Sequence, residues 1–187
     1  MRIAYPLFFR KRPKQESAEG QKANRLDWQA ETVGQNLIEE KTGNTKASSL
    51  DKAFSNTQAI SADVDAAYNP NFPNAFERNN SAYFGRGMSL VKYTGARGKS
   101  GASDANAEFV AWVRSLLEEN NIRYQIAELG RVDLGGGGTI AYILANKGMD
   151  VIDCGVPVLS MHAPYEVISK IDLYSTYLAY KCFIENI

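Results

Sequence analysis

Histidine is nearly missing from this chain: His162 is the only one among 187 residues. One histidine and a few acids do not by themselves identify a zinc site, which takes about four ligands, or three and a water. Cysteine is scarce as well. Cys154 sits in an apolar run and Cys182 in a helical one, which reads as two reduced, buried thiols of a cytoplasmic protein and not as a disulfide framework. No apolar run approaches the roughly 18–20 residues that a membrane span needs. The opening Met-Arg-Ile-Ala-Tyr-Pro-Leu-Phe-Phe-Arg is too short and too soon interrupted to read as a signal peptide. Net charge is zero, so the overall charge points to neither nucleic acid nor an anionic membrane. Three nucleotide or hydrolase signatures are missing too. No Lys-Ser/Thr follows the glycines at 135–138, the stretch 95–101 has Arg97 and Lys99 but lacks the P-loop order, no Gly-x-Gly-x-x-Gly joins a strand to a helix, and no Gly-x-Ser-x-Gly occurs.

What is present is an ordinary globular composition with one asymmetry. Residues 1–26 carry seven Lys or Arg against Glu16 and Glu19, a local +5 that the rest of the chain cancels. This stretch has neither helical nor strand periodicity and reads as an irregular basic arm, with order expected from Asp27 onward. Trp28, Thr32, Val33, Leu37 and Ile38 fall near helical spacing, with Gly43 as the stop. A short helix to Phe54 and a buried strand over 58–64 that ends on an acid follow. Met88–Tyr93 reads as a strand, 94–101 as a polar glycine loop, and Ser103 as the N-cap of a helix to about Asn120. A strand from Tyr124, four glycines leading into a helix at Thr139–Asn146, and a Val/Ile-rich strand over 150–158 come next. Pro164 is placed to open a last helix with Val167, Ile168, Ile171, Leu178 and Cys182 inward. Strands alternating with helices imply an α/β sheet covered on both faces, with chemistry at the strand ends.

Two residues stand at such ends. Asp63 closes a strand, where an acid must be paired, liganded or exposed, and His162 lies between a strand and a helix. The glycines at 135–138 could cradle a phosphate at a helix start, but the residues around them lack the order that a P-loop requires.

Four segments together carry a resemblance. They are Ser-Ala-Asp-Val-Asp-Ala-Ala-Tyr-Asn-Pro-Asn-Phe at 61–72, Tyr-Thr-Gly-Ala-Arg-Gly-Lys-Ser-Gly-Ala-Ser-Asp-Ala at 93–105, Gly-Gly-Gly-Gly-Thr-Ile-Ala at 135–141, and Asp-Cys-Gly-Val-Pro-Val-Leu-Ser-Met-His-Ala-Pro-Tyr-Glu-Val at 153–167. In order and spacing they resemble the catalytic domain of the aspartyl aminopeptidase and vacuolar aminopeptidase I family, over about residues 27–187. The resemblance implies a three-layer αβα sandwich with a mixed sheet, zinc-peptidase-like and truncated at the N-terminus. It implies two zinc ions, a peptide substrate and a homo-oligomer. Asp63 matches the carboxylate ligand of one zinc and His162 the imidazole ligand of the other. Lys92 matches a lysine near the scissile carbonyl, and Gly136, Gly137, Gly138, Thr139 and Met161 fall where the substrate pocket is lined.

The sequence also departs from the family. The first histidine, the bridging aspartate and the Glu-Glu pair that holds the general base have no match before Asp63; Glu39-Glu40 resembles the helix after that pair, and Glu16 and Glu19 lack its surroundings. The expectation is therefore a metallo-aminopeptidase chain inactive alone, with residues 1–26 altered by a shifted frame or start. The rival is a non-catalytic chain that acts at most as an interaction subunit of a full-length homologue.

Overall fold

A computed structural model describes residues 19–43, 46–96, 100–131 and 139–187. Helix α1 (Glu19–Thr42) and helix α2 (Ala47–Phe54) come first. They pack so closely that a Cβ at Gly34 would lie 2.8 Å from Leu50 Cδ1. Strand β1 (Gln58–Ser61) and the two-residue β2 (Asp65–Ala66) follow, then β3 (Met88–Val91), β4 (Tyr93–Ala96) and β5 (Ser100–Asp104). After α3 (Ala107–Glu119) come β6 (Tyr124–Ile126), α4 (Ala141–Ala145), β7 (Asp150–Gly155), β8 (Pro157–Leu159), β9 (Val167–Ile168) and α5 (Lys170–Asn186).

The main sheet runs β1-β7-β3-β6 and is mixed: β1 is parallel to β7, β7 antiparallel to β3, and β3 parallel to β6. Side chains alternate across a strand, so β7 faces two layers at once. Ile152 and Cys154 join Met88, Leu90, Phe109, Val113, Leu117 and Phe183 in a core under α3 and α5. Val151 points the other way and packs with Phe54, Ala141 and Leu144 of α2 and α4. Helices thus cover both faces, as the alternating pattern implies.

Several boundaries differ from expectation. α1 begins at Glu19, so residues 19–26, expected to be irregular, are helical; within it Val33 is exposed and Ile38 buried. Residues 94–101 are not one loop: β4 and β5 pair through Tyr93–Asp104 and Thr94–Ser103. Ser103 therefore belongs to a strand, and Asn106 caps α3 by accepting Phe109 N–H at 2.7 Å. The expected strand over 150–158 is split, with β7 in the main sheet and β8 in a three-stranded sheet of order β2-β8-β9. Pro164 does not open α5; Ser169 caps it. Of the residues expected inward, Cys182 is buried and Leu178 packs against the core, but Val167 and Ile168 lie in β9 and are exposed, and Ile171 is 60% exposed; Asp172, Ser175, Thr176, Ala179 and Phe183 also face in. Asp172 explains the outward turn of Ile171. Its fully buried carboxylate accepts the N–H groups of Gly85 and Gly87, both at 2.8 Å, and so needs the inward position.

Candidate active-site rim

β1 and β7 run side by side with Ser61 opposite Asp153, so the loops that leave both strands start from the same edge. Asp63 lies in the first of those loops. Its peptide crosses directly over β7: a Cβ on Gly155 would stand 1.6 Å from Asp63 O and 3.2 Å from Val64 Cα. Only glycine leaves room for that crossing. The chain then enters β2, whose Asp65 pairs in register with Pro157 of β8.

The face of the sheet under α4 becomes polar at this edge. Ser61, Ser89 and Asp153 are all buried there, together with Asp65 of the neighbouring sheet. Ser89 Oγ donates to Asp65 Oδ2 at 2.5 Å, and Thr139 Oγ1 donates to Asp153 Oδ2 at 2.7 Å. Each carboxylate keeps a buried Oδ1 with no hydrogen-bond partner among the described residues. Burial raises Asp65 to about 6, against the opposing pull of the Ser89 hydroxyl. Burial likewise raises Asp153 to about 6; the hydroxyls of Ser61 and Thr139 lower it, and the charges of Asp63 and Asp65 push it up further. Asp63, Asp65 and Asp153 are therefore one electrostatic neighbourhood, with Thr139 bonded into it.

His162 is reached from β8. Ser160 and His162 both adopt left-handed backbone, φ 57° and 68°, on either side of the half-buried Met161. Non-glycine residues in that region cost of order 1–3 kcal/mol each and persist only where surroundings hold them. Two contacts do so here: Ala163 N–H donates to Ser160 O at 2.9 Å, and His162 N–H donates to Glu166 Oε1 at 2.6 Å. The exposed imidazole is thus carried on a fixed turn.

Lys92 follows β3, and its ammonium pairs with the Asp104 carboxylate at the mouth of the β4–β5 hairpin; the two side chains are 42% and 60% exposed. Gly136, Gly137 and Gly138 lie outside the described residues. Thr139 is described, and its hydroxyl is committed to Asp153 and to Ala141 N–H, which it accepts at 3.1 Å. Among the described residues no three His, Cys, Asp or Glu side chains gather where they could hold a metal ion. The donors among the described residues therefore do not complete a zinc site. Asp65 and Asp153 escaped the sequence reading. The signal was a second acid two residues after Asp63, and an acid inside a Val/Ile-rich strand.

Comparison with known proteins shows the family. A family model described as aminopeptidase I zinc metalloprotease (M18) matches residues 16–184, eleven residues earlier than the resemblance in the motifs alone. A probable M18 family aminopeptidase 1 of Clostridium acetobutylicum is 56% identical over 137 residues, which are 73% of this chain and 30% of that protein. The crystal structure of aminopeptidase I from the same organism superposes with a TM-score of 0.69 at 55% identity, over 73% of this chain and 30% of the other. That of the M18 aminopeptidase from Thermotoga maritima does so with a TM-score of 0.76 at 46% identity, over 86% of this chain and 35% of the other. The chain spans about 30% of the length of the curated relatives that it matches. With the family model covering most of its length, the chain belongs to the M18 family, the aminopeptidase I zinc metalloproteases.

Proposed function

We propose that this chain supplies the C-terminal share of a dinuclear zinc aminopeptidase catalytic domain, whose reaction is removal of N-terminal residues from peptides. In this reading Asp63 and His162 are zinc ligands, one to each ion. Gly136, Gly137, Gly138, Thr139 and Met161 line the substrate pocket, and Lys92 reaches toward the scissile carbonyl oxygen. The observation that carries the reading is the meeting of Asp63 and Thr139 around Asp153 at the carboxyl ends of β1 and β7. Ligands and substrates of open α/β sheets bind at that edge.

The strained turn at 160–163 supports the role of His162, because conformational cost of that kind collects at functional sites. The Lys92–Asp104 pair does not oppose the role of Lys92. Exposed ion pairs are worth about 0–1 kcal/mol, so opening it for a substrate is cheap. A homo-oligomer and a cytoplasmic location complete the reading; the two free, buried thiols support the second. No described helix is long and apolar enough to cross a membrane.

Because the described donors do not complete a zinc site, the chain alone is expected to be inactive. The test uses leucine and aspartate p-nitroanilides with zinc. The purified chain should give background rates. Mixing it with a polypeptide spanning the N-terminal two thirds of the Thermotoga maritima relative should produce turnover that His162→Ala abolishes. Turnover that ignores His162→Ala, or none from a mixture that forms a complex on gel filtration, overturns the reading.

A further inference from the structure

Helix α5 is amphipathic the wrong way round for a surface helix. Its inward face is Asp172, Ser175, Thr176, Ala179, Cys182 and Phe183, small or polar but for the last. Its outward face carries Ile171, Leu173, Tyr174, Tyr177 and Ile184, with Tyr174 62% and Tyr177 59% exposed. The two tyrosine rings stack with their centroids 6.3 Å apart, so they stand as one apolar platform on the surface. Lys170, Tyr174, Tyr177, Lys181 and Ile184 recur at intervals of four, three, four and three residues, the spacing of a seam between two helices. An outward face that meets only solvent is ordinarily polar and has no use for that spacing. The charges at the ends of the helix are reversed as well. Lys170 opens it, at its positive end, and Glu185 stands in its last turn, at its negative end; both are exposed.

We infer that this face docks a second copy of the same chain, with the two α5 helices antiparallel and crossing at Tyr177. Antiparallel packing sets Lys170 beside Glu185 of the second copy, Ile171 beside Ile184 and Tyr174 beside Lys181, and the symmetry axis brings the two Tyr177 rings together. Each terminal charge then meets an opposite charge and the end of a helix dipole that suits it. Each isoleucine meets an isoleucine, and the Lys181 ammonium meets an aromatic face. A parallel pair would instead set Lys170 against Lys170, Lys181 against Lys181 and Glu185 against Glu185. The pair that Lys181 and Glu185 make within one chain does not compete, because at 3.8 Å between side chains 56% and 60% exposed it is worth little. Two tyrosines and two isoleucines exposed to this degree offer about 400–500 Å² of apolar surface per copy, short of the roughly 800 Å² per partner of a standard stable interface, so the dimer is a reversible one. This surface serves the homo-oligomer of the proposed function and involves neither of the proposed zinc ligands.

The test is sedimentation equilibrium on the 187-residue chain. Over about 5–500 μM a monomer–dimer equilibrium with a Kd of roughly 10–100 μM is expected. Tyr177→Glu sets two carboxylates against each other on the axis and should raise Kd about thirty-fold or more. Circular dichroism and the urea midpoint should stay unchanged, because the ring is on the surface. Lys170→Glu and Glu185→Lys should each raise Kd about three- to ten-fold, and the two together should return it to within about three-fold of wild type. That charge swap tests the same contact without touching the aromatic side chains. A chain still monomeric at about 500 μM overturns the proposal, as does association into aggregates of no fixed size or a dimer that survives Tyr177→Glu. A double variant no better than the single ones overturns the antiparallel arrangement. A monomer that binds the N-terminal two thirds of the Thermotoga maritima relative, and loses that binding in Tyr177→Glu, assigns the face to that segment and overturns the second copy. None of these readouts uses the His162-dependent turnover assay, so this surface and the proposed function fail separately.

Discussion

Replacing Asp153 with asparagine should stabilise the chain, and only above a definable pH. The carboxyl is 3% exposed, and burial moves it from 3.8 to about 6. The sign follows from proton counting. Between those two values the folded chain keeps a proton that the unfolded chain has released, so stability falls as pH rises through this window and levels off above it. A displacement of about two pH units corresponds to about 3 kcal/mol at 1.36 kcal/mol each. Asparagine retains an oxygen to accept the Thr139 proton and carries no charge to desolvate. Asp153→Asn should therefore exceed wild type by up to about 3 kcal/mol at pH 8 and match it near pH 3.5. Urea unfolding followed by tryptophan fluorescence is a suitable assay, because Trp112 stacks on Phe109 and meets Phe183 at the core. With slopes of about 1–3 kcal/mol/M, the midpoint should move by about 1–3 M at pH 8. An advantage of equal size at both pH values, or a loss of stability at pH 8, would refute the argument from burial.

Three further substitutions test other parts of the site. Gly155→Ala would put a methyl 1.6 Å from Asp63 O, so either the crossing peptide shifts or the fold loses more than about 3 kcal/mol; thermal unfolding together with the Asp63 amide resonance distinguishes an effect from none. Asp172→Asn leaves one of the N–H groups of Gly85 and Gly87 facing an amide donor, which should cost about 2–4 kcal/mol in urea unfolding, and a cost below about 0.5 kcal/mol would contradict the bidentate grip. Glu166→Gln retains an acceptor for His162 N–H whereas Glu166→Ala does not, so only the second should speed exchange of the His162 amide, by about ten-fold.

The sequence was legible where one physical requirement dominated. The stripe Phe109, Val110, Val113, Leu116 and Leu117 gave α3 and its buried face, because nothing competes with burial along that helix. Legibility failed where a polar contact distant in sequence outweighed the hydrophobic pattern. In α5 the carboxylate of Asp172 reaches back to Gly85 and Gly87, across more than eighty residues, and rotates Ile171 and Tyr174 outward. Periodicity carries no trace of that grip. The start of α1 failed for a different reason: Glu19–Leu26 has no apolar stripe, so a helix of polar residues reads like an arm. Among the candidate site residues, Asp63 and His162 were marked by the motifs in which they stand, whereas Asp153 was hidden in a strand whose neighbouring residues are apolar.

That concealment bears on what the buried acids are for. Ser61, Ser89 and Asp153 occupy strand positions where Val or Ile would pack at no electrostatic cost, as Val151 does two residues earlier on the same face. Two carboxylates raised to about 6 within one neighbourhood are a standing penalty at neutral pH. Neither belongs to the apolar cores that hold the helices. Each instead holds a hydroxyl, Ser89 for Asp65 and Thr139 for Asp153, beside the peptide that carries Asp63. Interiors built for stability alone leave such groups out, and sites that must orient polar atoms against a substrate retain them. The placement of the charges, on the face and at the edge where the motifs converge, thus argues for a site independently of the motifs. It makes the stability gained by Asp153→Asn the measure of what the fold gives up to hold Thr139 in place.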